Sequence, residues 1–167
     1  MQDHGDDAMR ELQQLAGLLT VPQPTATLVW TAAVDVAPRE ALGPGPLGER
    51  FIVPITGGRF WGAAGFEAMA GLVRAGGADR QLLRADGVKE LRAEYEMETA
   101  DGAVLTVLNE VVVDDSVKPE RYALSRITVR APQGRHEWLN RRLFVGTLQS
   151  LRPQREAVLI RGYLVEA

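Results

Sequence analysis

Three residues of this 167-residue chain could carry proton chemistry together: Asp79, Tyr95 and Asn109. Asp79 follows the pair Gly76-Gly77, and glycine pairs beside strand-like runs suit bulges, corners and close chain approaches. A carboxylate set just after such a corner, inside an apolar fold, has its pKa raised by desolvation and can act as general acid or base near neutrality. The competing reading is a turn carboxylate bonded to backbone amides, or one paired with Arg50. Tyr95 falls on the inward parity of an alternating stretch, where a phenol near an acid can donate to a substrate oxygen. It could equally be a core tyrosine bonded to a backbone carbonyl. Asn109 shares parity with Leu105 and Val107; an amide there can orient a carbonyl or stabilise an oxyanion, or else satisfy a bulge.

Four further residues are candidate substrate contacts. Arg50 precedes an apolar run and could clamp a carboxylate with its planar fork, or form a structural ion pair with Asp79 or Asp86. Trp138 and Asn140 stand two residues apart, on one face if extended, and could bind a flat substrate; a core tryptophan with a capping asparagine is the alternative. Phe60 reads as core or rim. His136, after a glycine turn, reads as an exposed loop histidine, and Asp86 as a turn former.

The composition narrows the chemistry. There is no cysteine, which excludes disulfides, thiolate nucleophiles and cysteine-ligated metals. The two histidines, His4 and His136, rule out a multi-histidine metal site, and no cofactor site is expected. Neither Gly57-Gly58 nor Gly76-Gly77 fits a phosphate loop. A net charge of −3, with 19 Lys+Arg among 22 acids, argues against nucleic-acid binding. No apolar run approaches the roughly 20 residues of a membrane span. With acidic Asp3, Asp6 and Asp7 near the start, the expectation is a cytoplasmic protein without a membrane partner.

The elements that must position these residues are strands. The pair Asp86-Gly87 predicts a hairpin between Arg80–Arg84 and Val88–Thr99. In its second arm Glu90, Arg92, Glu94, Glu96 and Glu98 share one face, while Leu91, Ala93, Tyr95, Met97 and Thr99 share the other. Asp101-Gly102 makes the next hairpin, into Ala103–Val113, which is apolar on both parities up to Asn109. That stretch is expected to be covered on its outer face too, by an N-terminal helix. Leu28–Val36, Phe51–Ile55, Tyr122–Ala131, Arg142–Thr147 and Glu156–Val165 also read as strands. Residues 37–49 read as a loop, Ala63–Leu72 as one or two helical turns over a barrel end, and Glu137–Asn140 as a helical turn. Residues 1–5 read as a tail. From Asp6, the spacing of Met9, Leu12, Leu15, Ala16 and Leu19 predicts a helix capped by Asp6 or Asp7 and ended by Pro22 and Pro24. Its stripe must dock, either on its own domain or on a second copy. The sum is a mainly β chain: a tail and helix over 1–24, then a single closed, antiparallel, up-and-down barrel of about eight or nine strands over 25–167.

The ordered motifs go further. The succession RFIVPITGGxFxG, GGADxQxxxxDG, AxY, DGA, LN and WLNRxLFVG resembles the bacterial family called domain of unknown function 3237, from about Leu28 to Val165. The resemblance implies a lipocalin-like β-barrel and brings no established activity. The chain departs from the pattern at Arg80, where an aromatic is usual, at Glu110, where glycine is usual, in a longer segment between Gly62 and Leu72, and in the added helix.

The functional expectation is a small-molecule enzyme. A hydrophobic carbonyl compound would lie inside the barrel, Asp79 would move a proton, and Tyr95 and Asn109 would hold the oxygen, without a cofactor, in an isomerase, cyclase or lyase reaction. The alternative is a non-catalytic carrier or sensor of a hydrophobic metabolite. Homo-oligomerisation is expected from the apolar helix and the barrel rims.

Overall fold

The computed structural model describes residues 3–167. One helix, α1 (Asp3–Gly17), precedes ten strands: β1 (Thr25–Val36), β2 (Glu40–Gly45), β3 (Gly48–Gly62), β4 (Gly71–Val73), β5 (Ala78–Arg84), β6 (Lys89–Thr99), β7 (Val104–Asp114), β8 (Tyr122–Arg130), β9 (Leu143–Ser150) and β10 (Ala157–Glu166). All pairings are antiparallel, and β1 pairs with both β3 and β10, which closes the sheet. The short β4 and β5 follow one another between β3 and β6 and together make one stave. The result is the closed eight-stranded barrel expected, with β2 added outside it as a partner of the first half of β3. Closure removes the free sheet edges that an open meander of this length would present.

Local chemistry fixes the hairpins. Gly87 (φ +85°) and Gly102 (φ +86°) take the left-handed conformation at the two Asp-Gly turns. Asp86 holds its turn by accepting from the Val88 N–H at 3.1 Å and from Arg84. The strand β3 runs unbroken through Gly57 and Gly58, and a side chain at Gly58 would meet the Ala33 carbonyl oxygen at 2.1 Å. The glycine pair therefore lets β3 press against β1 instead of ending the strand.

The barrel is packed at one end and hollow at the other. Trp30, Phe60, Met69, Met97, Leu105 and Phe144 fill the end closed by the turns at 62–71, 99–104 and 130–143. Trp30 meets Phe144 edge-on at 5.3 Å and lies so close to β10 that a side chain at Gly162 would meet its ring at 2.3 Å. Each such buried side chain contributes about 1.5–3 kcal/mol. Toward the opposite end the inward positions are smaller: Val34, Val53, Ala93, Val111, Val158.

Several expectations are corrected. Residues 40–45 form strand β2, because Pro44 is tolerated on an edge where no ladder donor is needed. Residues 63–70 form turns, not helix; Phe66 N–H bonds Ala63 and Met69 N–H bonds Phe66, which drives Met69 into the closed end. Glu137–Arg141 is a 3₁₀ turn, in keeping with the expected helical turn. Helix α1 begins at Asp3, so Asp6 and Asp7 lie within it, and Asp7 pairs with Arg10 at 3.3 Å; residues 1 and 2 of the expected tail lie outside the described residues. The helix does not dock on its own barrel. Met9, Leu12, Leu15, Leu18 and Leu19 are all more than half exposed, and β7 keeps Val112 open to solvent on its outer face. Among the described residues, no helix is long and apolar enough to cross a membrane.

Candidate active site

Asp79 is delivered by the glycine corner. Gly76 takes φ +110°, and a side chain at Gly77 would meet the Glu94 carbonyl oxygen and the Tyr95 Cβ, both at 2.6 Å. Only glycine lets the corner lie this close to β6. Two backbone bonds tie it to β3, from Ile55 N–H to Gly77 at 2.8 Å and from Gly76 N–H to Ile55 at 3.1 Å. Asp79 then enters β5 pointing inward.

Register brings the other two residues beside it. Asp79 on β5 stands opposite Ala93 on β6, and Ala93 opposite Asn109 on β7. With strands spaced about 4.8 Å apart, Asp79 and Asn109 flank the small Ala93 across about 10 Å. Tyr95 follows two residues later on the same inward face. All three line a cavity of about 410 Å³, within the size range of small-molecule sites. Its walls are largely apolar: Val36, Val53, Ile55, Leu148 and Ile160.

The polar accounting in this cavity is incomplete within the protein. Gln81 donates to Asp79 Oδ2 at 2.7 Å, and the Arg92 backbone N–H also donates to this carboxyl group. Asp79 Oδ1, Tyr95 Oη and Asn109 Oδ1 are buried with no protein partner. A buried polar group left unmatched costs about 1–3 kcal/mol, so three on one wall are a concentrated cost. Two other such atoms, Trp30 Nε1 and Ser125 Oγ, belong to residues outside this lining. Asp79 as a residue is half-buried, yet burial dominates its carboxyl group and pushes its pKa up to about 6, against the two hydrogen bonds that lower it. Burial also pushes the Tyr95 phenol up, so it stays protonated and available as a donor.

The other sequence candidates lie elsewhere. Arg50 is exposed on the β2–β3 hairpin and donates to the carbonyls of Leu42 at 3.0 Å and Gly43 at 3.2 Å; it reaches neither Asp79 nor the cavity. Trp138 stacks at the closed end with Phe66 and Phe144, each at 6.0 Å. Asn140 ties the 3₁₀ turn to Ala131, accepting from its N–H at 3.0 Å and donating to its carbonyl at 2.9 Å. Phe60 is buried in the closed-end core. His136 is not an exposed loop residue: it is buried, and its Nε2 lies 3.1 Å from Asp101 Oδ1, pinning the 3₁₀ turn to the β6–β7 hairpin. Burial of the loop against the barrel end, which no local pattern announces, decides this.

Two groups of lining residues escape sequence reasoning. Gln81 shares the inward face with Asp79 through two-residue spacing, a signal that parity alone carries. Arg39, Lys89, Arg121 and Arg152 line the open end and come from four separate loops or strand ends, so no sequence window contains them together. A larger concavity of about 1140 Å³ is lined by the β2–β3 hairpin and residues of β5–β10, with Leu47, Val112 and Leu124 among them, and shares Gln81, Leu91 and Val111 with the inner cavity. The three unpartnered groups Asp79, Tyr95 and Asn109 are not part of it, so the inner cavity is the better candidate for chemistry despite its smaller volume.

The comparisons with known proteins agree with this architecture. A UPF0311 protein from Rhodopseudomonas palustris (strain TIE-1) is 30% identical, over 71% of this chain and 84% of its own length. The crystal structure of the conserved protein of unknown function RPA1785 from Rhodopseudomonas palustris superposes with a TM-score of 0.77 at 29% identity, covering 87% of this chain and all (100%) of that one. An enzyme from Penicillium herquei shares the fold at a TM-score of 0.68 and 20% identity, covering 89% of this chain and 99% of its own. The family model described as protein of unknown function (DUF3237) matches residues 24–165, which runs from the start of β1 to Val165 near the end of β10 and leaves out α1, most of its linker and the last two residues. The chain belongs to the DUF3237 family.

Proposed function

We infer that the protein is a small-molecule enzyme that takes a hydrophobic, carbonyl-containing metabolite into the barrel and carries out cofactor-independent acid–base chemistry of the isomerase, cyclase or lyase type. One observation carries this reading: three buried polar atoms without protein partners, on Asp79, Tyr95 and Asn109, line one apolar-walled cavity. In the isomerase form, the Asp79 carboxylate takes a proton from the carbon next to the carbonyl. The C–H electron pair becomes the C=C bond of an enolate, and the charge moves to the carbonyl oxygen. The Tyr95 O–H, kept protonated by its burial, donates to that oxygen, and the Asn109 amide supplies a second donor. Where the substrate carries a C=C bond one carbon further on, the enolate extends into a dienolate, and protonated Asp79 returns the proton to its far carbon, so that the C=C bond moves and the carbonyl re-forms. A carboxyl group with a pKa near 6 is ionised at neutral pH yet basic enough to take part in both steps. The Penicillium herquei fold neighbour, an enzyme, supports the capacity of this scaffold to house a reaction.

A second reading, a carrier or sensor of the same ligand, is favoured by the apolar share of the lining. Turnover separates the two. Candidate ketones are incubated with the protein in D₂O, and solvent deuterium entering the position next to the carbonyl is followed by NMR. Asp79→Asn should retain binding and slow exchange by about 10²–10⁴-fold. Undiminished exchange in Asp79→Asn sinks the assignment of the base, and tight binding with no exchange in the native chain sinks the enzyme in favour of the carrier.

A further inference from the structure

The open end of the cavity is bordered by the chain after β1, the β5–β6 turn, the β7–β8 loop and the β9–β10 loop. Each contributes one cation to the lining: Arg39, Lys89, Arg121 and Arg152. Among the described residues, the only anionic side chain in the lining is Asp79, deeper inside. These loops are not basic overall. They also carry Asp35, Asp86, Asp114, Asp115, Glu120 and Glu156, but those acids stand outside the lining. Asp35 is engaged by Arg155 at 2.6 Å, Asp86 by Arg84, Asp115 by Lys89 at 2.8 Å and Glu156 by Arg152 at 2.8 Å. The lining at this end is therefore cationic, and two of the acids outside it, Asp115 and Glu156, pair with the lining cations themselves.

Arg39 differs from the other three. It has no carboxylate within ion-pair distance among the described residues. Its guanidinium lies 3.9 Å above the Phe51 ring. Stacking on an aromatic face fixes the fork without neutralising it and leaves its donors free for a planar anion. Lys89 and Arg121 share Asp115, so the four cations face two acids within reach, and the entrance keeps an excess of positive charge on a chain whose net charge is −3. Between entrance and floor, Val36, Val113 and Val158 offer only hydrocarbon. About 13 Å of strand separates Lys89 from Ala93 on β6, which sets the span between the cationic entrance and the Asp79–Asn109 floor.

We propose that the ligand is an amphipathic organic anion: a carboxylate held at the entrance, chiefly by Arg39, joined to an apolar body whose far oxygen meets Tyr95 and Asn109, beside Asp79. This rests on the reading of the interior as a ligand site and names the class of molecule it takes. The four cations are binding residues that touch the anionic end and take no part in proton transfer.

The test uses a matched pair of fluorescent probes, 1-anilinonaphthalene-8-sulfonate and N-phenyl-1-naphthylamine, the same ring system without the anion. The interior component of each signal is the part lost in Ala93→Phe, with Ala93→Leu as a milder filling should the larger side chain prevent folding. The sulfonate should bind about tenfold tighter than its neutral counterpart, and its affinity should fall as salt is raised while that of the neutral probe holds. Arg39→Gln, an exposed position that leaves the fold intact, should weaken the sulfonate by about fivefold or more and leave the neutral probe within about twofold. Equal affinities, unmoved by salt and by Arg39→Gln, overturn the anionic ligand and leave the interior site standing. If filling Ala93 removes no signal from either probe, the interior site itself falls, and the proposal with it.

Discussion

Replacing Asp79 with asparagine tests the central electrostatic argument without any substrate. The carboxyl group has its pKa raised from 3.8 to about 6, mainly by burial. A group whose folded pKa lies above its unfolded one favours the folded state when protonated. Its contribution is fully present below about pH 3.8 and is lost as pH rises through about 6, because over that window the folded chain holds the proton that the unfolded chain has released. Above the window the penalty of keeping a buried carboxylate ionised reaches about 3 kcal/mol, from roughly two pKa units at 1.36 kcal/mol each. Asparagine has nearly the same shape, can accept the Gln81 and Arg92 hydrogen bonds through its own oxygen, and never ionises. Asp79→Asn should therefore be more stable than the native chain by about 2–3 kcal/mol at about pH 8. The gap should narrow by about 1.4 kcal/mol at about pH 5, where the native carboxyl group is largely protonated. Urea unfolding of both proteins across that range measures the difference. Carboxylates with lowered pKa values, such as Asp35 beside Arg155 and Asp101 beside Thr99 and His136, make the native chain less stable in acid, but they act equally in both proteins and cancel. A gap that does not change with pH, or a native chain more stable than the variant at about pH 8, would show Asp79 to be an ordinary turn carboxylate and remove its candidacy as a base.

Two further outcomes follow from the same structure. Tyr95→Phe removes a buried hydroxyl that has no protein partner, so it should leave stability unchanged or raise it by up to about 1 kcal/mol, while lowering turnover or ligand affinity; a loss above about 2 kcal/mol would mean that the hydroxyl supports the fold. Deleting residues 1–21 should change the unfolding free energy of the barrel by no more than about 0.5 kcal/mol, since the apolar side chains of α1 rest on nothing in their own chain; a larger loss in dilute solution would mean that the helix docks on the barrel after all.

The strands of this protein are legible from periodicity, because a pleated chain with one wet face must alternate. The stretch from Glu90 to Thr99 writes that alternation out, and parity alone makes Tyr95 an inward residue. The Asp-Gly turns are legible because glycine readily takes the left-handed position each turn requires, at Gly87 and Gly102. Asn109 can be singled out for the same reason as Tyr95, as a polar residue on an apolar parity, and Asp79 by the glycine corner that precedes it. What periodicity leaves open is which inward residues meet. Ala93 stands between Asp79 and Asn109 only because β5, β6 and β7 pair in one register, and register is set jointly by turns and closure around the barrel. The misplaced candidates share a cause. Arg50, Trp138 and Asn140 invite a reading by side-chain chemistry, and His136 one as an exposed loop residue, yet their positions depend on where a hairpin or a 3₁₀ turn lands against the barrel. The cations of the entrance are invisible in the sequence for a stronger reason. Arg39, Lys89, Arg121 and Arg152 are spread over more than 110 residues of chain, and only closure of β1 onto both β3 and β10 brings four strand ends to one rim. Alternation and turn chemistry are local, so the order of residues is enough to dictate antiparallel hairpins and most of their inward polar groups. Which end is hollow, and what charge surrounds it, depend on long-range closure and emerge only in the folded chain.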